Sequence, residues 1–182
     1  GYYGGVIDLV SYSSPFAGVS QGRLPDGSAT IVNFLGTDSP GEANYMAMTN
    51  VVINEMLTHT DPPLEDAIEL RNLTGAQVDV SGWWLSDSRS ALKKYQLPPN
   101  TRISANGFHV VYEAQFNNSD QAAIPFALSS SKGDQVYLSA TTGNGLLTGV
   151  RGTADFGPAA NGVSFGRYIN SMGNVDYPAL SA

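Results

Sequence analysis

The chain contains no cysteine. That excludes disulfides, thiolate metal sites and cysteine nucleophiles, and leaves packing and hydrogen bonds to hold the fold. Cations are scarce: Lys and Arg total 9 against 16 Asp and Glu, a net charge of −7. Nucleic-acid binding relies on clustered Lys and Arg that release counterions, so neither DNA nor RNA is an expected partner. An anionic membrane surface is disfavoured for the same reason. No apolar run approaches the roughly 20 residues of a spanning helix, so no membrane insertion is expected. Sustained helical periodicity is missing too, and residues 113–120 are the one place where a short helix fits. Histidine is rare. His59 lies in a loop and His109 in a strand pattern, and two separated imidazoles make neither a zinc site nor a triad. No Gly-x-Ser-x-Gly elbow occurs.

What is present is turn-rich and β-patterned. The 182 residues are 42% apolar, enough for a core, and include 20 Gly and 10 Pro. Short apolar runs punctuated by Gly, Pro, Asn and Ser predict an all-β protein of short strands. The runs at 51–57, 67–71, 93–97, 108–113, 126–128, 134–139 and 146–150 read as strands. Pro98-Pro99 stops the third of these and marks a strand end or an edge, because proline cannot donate to a sheet ladder.

The organising stretch is Val78-Asp-Val-Ser-Gly-Trp-Trp-Leu-Ser-Asp87. Alternation at Val78, Asp79 and Val80 breaks at Ser81-Gly82 and resumes as an apolar run. This predicts two strand pieces joined by a bend or bulge. Both tryptophans lie here, and indoles bury large apolar areas. One of Trp83 and Trp84 is expected to anchor the core, with the other at a rim.

The chain also repeats itself. Gly18-Val-Ser-Gln-Gly-Arg23 returns as Gly162-Val-Ser-Phe-Gly-Arg167, an offset of 144 positions. At the same offset Gly5-Val6 meets Gly149-Val150, and Tyr12 meets Phe156. A period that long is a whole domain. Residues 1–45 are therefore expected to be the C-terminal part of a preceding copy, with Val6–Tyr12 as a strand. Residues 46–182 are expected to be a nearly full copy, truncated before its own counterpart of Ser39-Pro-Gly41. With no Met at Gly1, the chain reads as a piece of something longer. The apolar face of residues 1–45 needs a partner, either the full domain or a second chain, so a dimer through residues 1–45 is one expectation.

Five pieces in order resemble the bacterial lamin-tail domain. They are Val52-Ile-Asn-Glu55, Ala67-Ile-Glu-Leu-Arg-Asn72, the Trp stretch with Leu85-Ser-Asp87, Ile103-Ser-Ala-Asn-Gly-Phe108, and Phe126-Ala-Leu-Ser129 with Asp134-Gln-Val-Tyr-Leu138. The resemblance spans about residues 50–168, and in part 6–44. It implies an immunoglobulin-like β-sandwich, here with an extra N-terminal β segment. It also implies a non-catalytic module of large exported or cell-surface proteins, hence an extracellular or periplasmic setting. Members usually carry an aromatic where Ala67 stands, so packing there is expected to be lighter.

Candidate chemistry is thin. Asp61, Glu65, Asp66 and Glu69 form the densest acidic group, and calcium takes six to eight oxygens. The spacing is not an EF-hand loop, and two prolines intervene. Solvated loop and strand-face carboxylates are the competing reading, and a metal-dependent hydrolase is the most remote alternative. Glu55, Glu69 and Asp87 could share a carboxylate site, but carboxylates that hold bends through backbone N–H groups explain them better, Asp87 above all. Arg23 and Arg167 are expected to pair with carboxylates and position terminal strands. Trp84, Tyr95, Phe108, Tyr112 and Tyr137 are candidate sugar-stacking residues, though core packing accounts for most aromatics in a sandwich. The expected function is a structural or interaction module with a protein or glycan partner. A carbohydrate-binding accessory module is the alternative.

Overall fold

The computed structural model of the protein describes residues 8–12 and 16–180. It separates into two compact units, Gly1–Met46 and Ala47–Ala182.

Among the described residues the first unit contains one antiparallel hairpin, β1 (Val19–Arg23) and β2 (Ile31–Leu35), with Val19 opposite Leu35 and Arg23 opposite Ile31. Its turn is closed by Leu24 N–H donating to the Thr30 carbonyl at 3.1 Å and by the Ser28 hydroxyl donating to the Leu24 carbonyl at 2.9 Å. The strand expected over Val6–Tyr12 is not seen in its described part. Asp8–Tyr12 is exposed and outside any strand, while Val6 and Ile7 lie outside the described residues. Apolar pattern alone does not make a strand, which also needs a neighbour to bond.

The second unit opens with β3 (Met46–Ala47), whose first residue still belongs to the first unit. There follow β4 (Val51–Leu57), β5 (Ala67–Asn72), β6 (Val78–Asp79), β7 (Trp84–Ser86), β8 (Tyr95–Gln96), β9 (Arg102–Ile103) and β10 (Phe108–Tyr112). A single-turn helix, α1 (Glu113–Phe116), sits where the sequence allowed one. The chain continues with β11 (Asp134–Thr141), β12 (Leu147–Phe156), β13 (Ser164–Gly166), β14 (Tyr168–Ile169) and β15 (Val175–Asp176). Two sheets dominate: a four-stranded one ordered β10-β5-β4-β13 and a five-stranded one ordered β3-β12-β11-β7-β8.

Alternation decides which side chains enter the core. On β5, Ile68 and Leu70 point inward while Ala67, Glu69 and Arg71 do not. Met56, Ile68, Leu70 and Val111 of one sheet meet Leu85, Val136, Leu138 and Ala154 of the other in one buried cluster. Phe156 and Phe165 join the layers, with ring centroids 5.3 Å apart. This is the expected β-sandwich.

The Trp stretch behaves as its pattern predicts. β6 pairs with β9, and β7 belongs to the five-stranded sheet between β11 and β8. Gly82, at φ 75, makes the bend between them in the left-handed region that suits glycine. Trp83 is in the core, and Trp84 is half-buried with the Lys93 ammonium 5.9 Å from its ring. Tyr95–Gln96 forms an edge strand before Pro98, as predicted. The strand expected at 126–128 is absent. Phe126 and Leu128 are buried without pairing, and Phe126 stacks on Phe116 at 4.8 Å. An apolar triplet is equally at home in a packed loop.

The two Gly-Val-Ser-x-Gly-Arg stretches have some backbone features in common. Gly18 and Gly162 share positive φ values, 79 and 72. The chain from Ser164 to Ile169 runs antiparallel to Val175–Leu180, with Phe165 opposite Ala179 and Tyr168 opposite Asp176. β1 meets β2 in the same sense, its hairpin being two residues shorter.

Candidate functional site

The outward face of the four-stranded sheet carries the most distinctive surface. β4 and β5 set Glu55 opposite Glu69 and Leu57 opposite Ala67. β10 sets Val110 opposite Glu69 and Tyr112 opposite Ala67. These residues alternate with Met56, Ile68 and Val111, which fill the core, so they share the other face. Pro63, Leu64 and Glu65 flank them and complete a cleft of about 460 Å³.

Ala67 explains why there is a cleft. It lies between Leu57 and Tyr112, so an aromatic at this position would occupy the space. The departure from the lamin-tail pattern, expected to lighten packing, falls on the floor of the cleft.

Its electrostatics are one-signed. Glu55 and Glu69 are directly opposed, an arrangement that costs energy unless something positive intervenes. The Asn54 amide donates to Glu69 at 2.7 Å, and the Ala114 N–H donates to Glu65 at 3.2 Å. Among the described residues no Lys or Arg pairs with Glu55, Glu65 or Glu69. Arg71, on the same face of β5, lies over the Phe108 ring, 5.2 Å from its centroid.

The four carboxylates proposed as a calcium set are not brought together. Asp61 accepts from the Asn161 amide at the exposed end of the loop. Asp66 is buried and accepts from the Thr60 hydroxyl at 2.9 Å, and burial raises its pKa above the usual carboxylate value. Glu65 and Glu69 face the cleft with the partners just described. Among the described residues no group of three or more His, Asp or Glu side chains is placed to hold a metal. Strand alternation separates Asp66 from Glu69, and the loop turns Asp61 away.

Asp87 does not hold a bend through backbone N–H groups. It pairs with Lys94 at 2.5 Å, and the neighbouring turn belongs to Ser86. The Ser86 hydroxyl accepts from Ser88 N–H at 2.9 Å and donates to the Ala91 carbonyl at 2.8 Å. Arg23 pairs with Asp8 at 2.7 Å, while Arg167 lies against the Tyr177 hydroxyl. His59 Nδ1 is 2.9 Å from the Ala159 carbonyl, and burial lowers the pKa of His109 on β10.

Of the five candidate sugar-stacking aromatics, Tyr95 and Tyr137 are buried and Trp84 is half-buried. Phe108 and Tyr112 are 52% and 49% exposed and alternate with Val111 on β10, so they share its outward face. A second cleft, about 510 Å³, lies around Gly82 and is lined by Asp79, Ser81, Gln96, Thr141 and Thr142 among others.

Sequence reasoning underrated Asn72. It is fully buried, and its amide nitrogen lies 2.7–3.1 Å from the carbonyls of Ala76, Ile103 and Ser104. Its oxygen accepts from Thr74 N–H at 2.9 Å. An Asn ending a strand before Thr-Gly was the only signal, and turn chemistry alone would not show that it ties two loops.

No curated protein and no solved structure matches the chain. The family model described as Lamin Tail Domain matches residues 45–151, more than half of the chain, and ends within β12, before β13. Together with the sandwich, this match places the protein in the lamin tail domain family.

Proposed function

We propose that the chain is a non-catalytic structural and interaction module of a larger exported or cell-surface protein. Its docking site is the cleft over Glu55 and Glu69, and its partner is a basic, partly apolar segment of another protein. In this reading residues 1–45 are the closing part of a preceding module of the same kind.

The opposed Glu55–Glu69 pair, with no Lys or Arg partner among the described residues, between apolar walls carries the reading. A Lys or Arg side chain entering there would relieve the repulsion and lay its alkyl stem along Leu57, Leu64 and Tyr112. At about 4 Å and an effective dielectric near 20, one such pairing gains roughly 4 kcal/mol before desolvation.

The test is a ¹⁵N NMR titration of the full chain with a Lys-Leu-Lys-Tyr peptide. Saturable shifts at Glu55, Glu69 and Tyr112 are expected. They should vanish in Glu55→Gln/Glu69→Gln and in Ala67→Phe, which fills the cleft. Shifts scattered over the surface, or unchanged in both variants, would sink the idea.

A second reading rests on Phe108 and Tyr112, exposed on one face of β10. In it the module stacks on sugar rings as a carbohydrate-binding accessory. Retardation in polysaccharide gels, lost in Phe108→Ala/Tyr112→Ala, would support it, and unretarded migration would remove it.

A further inference from the structure

The two sheets end in four edge strands, and three of them are short or covered. β3 and β8 are two residues long. β13 is bonded on the side away from β4 by the chain that follows it. Gly166 N–H donates to the Pro178 carbonyl at 3.1 Å, and Leu180 N–H donates to the Ser164 carbonyl at 2.8 Å. β10 is different. It has five residues, Phe108–Tyr112, and pairs on one side only, with β5. Its register runs without a bulge, and Phe-His-Val-Val-Tyr contains neither Lys nor Pro. Natural sheets blunt long edges with those devices, because an unpaired edge recruits another strand.

Antiparallel geometry fixes which groups face away from β5. Asn72 N–H donates to the Gly107 carbonyl at 3.0 Å, and Glu113 N–H donates to the Asp66 carbonyl at 2.8 Å, so the odd-numbered residues bond β5. Phe108, Val110 and Tyr112 direct their N–H and C=O groups the other way. The Tyr112 N–H is taken in cis by the Gln115 side chain at 2.9 Å. Among the described residues no loop or side chain bonds the Phe108 or Val110 backbone. The side chains of these three residues share the outward face with Glu69. Val110 lies opposite Glu69 and, with Tyr112, lines the acidic cleft. The unpaired edge and the cleft therefore adjoin.

We propose that the basic partner segment binds as an added antiparallel strand on β10, with a Lys or Arg directly opposite Val110. This rests on the cleft over Glu55 and Glu69 being the docking site. The four-stranded sheet is antiparallel throughout, and the guest continues it. In that register the guest residue opposite Val110 exchanges both hydrogen bonds with it, and its side chain falls on the outward face. Adjacent strands are about 4.8 Å apart, so the guest backbone lies about 10 Å from that of Glu69. A Lys stem laid across Val110 brings its ammonium to the Glu69 carboxylate. Phe108 and Tyr112, 52% and 49% exposed, flank that stem. A second copy of this chain fits worse, because β10 carries no Lys or Arg and each copy has a net charge of −7.

The experiment titrates the ¹⁵N-labelled full chain with acetyl-Thr-Val-Lys-Val-Thr-amide and follows amide exchange by NMR. Saturable shifts at Glu69 are expected. Exchange at Phe108 and Val110 is expected to slow by about tenfold, the scale of one hydrogen bond. Methylating the Lys backbone nitrogen removes the N–H that meets the Val110 carbonyl, so affinity should fall by about tenfold. Methylating either Val nitrogen, which points away from β10, should leave affinity unchanged. Shifts at Glu69 that survive Lys methylation, with exchange at Phe108 and Val110 unaltered, would overturn strand addition and leave the cleft reading standing. Loss on methylating Val instead would overturn the antiparallel register. A peptide that leaves Glu69 unshifted would remove both. Sedimentation showing a dimer that protects the same amides without peptide would give the edge to a second copy and overturn the proposal.

Discussion

The Tyr177 hydroxyl donates to the Ile53 carbonyl at 2.9 Å, linking the C-terminal segment to the first core strand. Ile53 sits where the register between β4 and β5 shifts, so the carbonyl there is released from regular pairing. A residue well outside the family match over 45–151 thus completes a hydrogen bond inside it.

Tyr177→Phe removes that donor and leaves the Ile53 carbonyl buried without it. The expected cost is about 1–2 kcal/mol. Urea unfolding should show a lower midpoint with unchanged slope. The hydroxyl is also sensitive to alkali. Burial raises the Tyr177 pKa to about 12, above its usual value of 10.0. The neutral form is the one the fold favours, so its contribution is complete below pH 10 and is lost as pH rises toward 12. Stability followed from pH 9 to 12 should decline less steeply in Tyr177→Phe than in the parent.

His109 gives the opposite dependence. Burial holds its pKa below the usual 6.5, so the unfolded chain takes up a proton more readily than the folded one. Stability should therefore be complete above pH 6.5 and fall as pH drops below it toward the folded value. His109→Gln should flatten this part of the profile. An imidazole titrating at or above 6.5 by NMR would contradict it.

The adjacent tryptophans are not equivalent. Trp83→Ala opens a cavity in the core and should cost about 3–5 kcal/mol. Trp84→Ala removes a half-buried ring and its contact with Lys93, and should cost clearly less. Equal urea midpoints for the two variants would refute the assignment of Trp83 as the anchor.

Gly133 precedes β11 at φ 81, and a side chain there would lie 2.2 Å from the Phe156 carbonyl oxygen. Gly133→Ala meets both left-handed strain and a backbone clash, so it should shift the melting temperature far more than Gly143→Ala, where nothing lies within 4 Å.

Much of the architecture was legible because it is written in neighbours. Alternation marked β4, β5, β10 and β11. Ser81-Gly82 announced the bend before the tryptophans, and Pro98-Pro99 the end of an edge strand. The failures had the same origin. Phe126-Ala-Leu128 carries the composition of a strand yet packs as a loop on Phe116, and Asp8–Tyr12 has no pairing neighbour among the described residues. Local pattern states what a segment can do, and pairing decides what it does.

The amino-acid order by itself determined an all-β sandwich and an indole anchor at its bend, because each follows from side-chain period or turn chemistry. Only the tertiary structure decided which carboxylates meet. Glu55 faces Glu69 because a bulge sets the register of β4 on β5, while Asp61 and Asp66 are carried elsewhere by the loop. Register between strands is a property of the packed sheet, in which one residue of slip would turn every side chain to the other face.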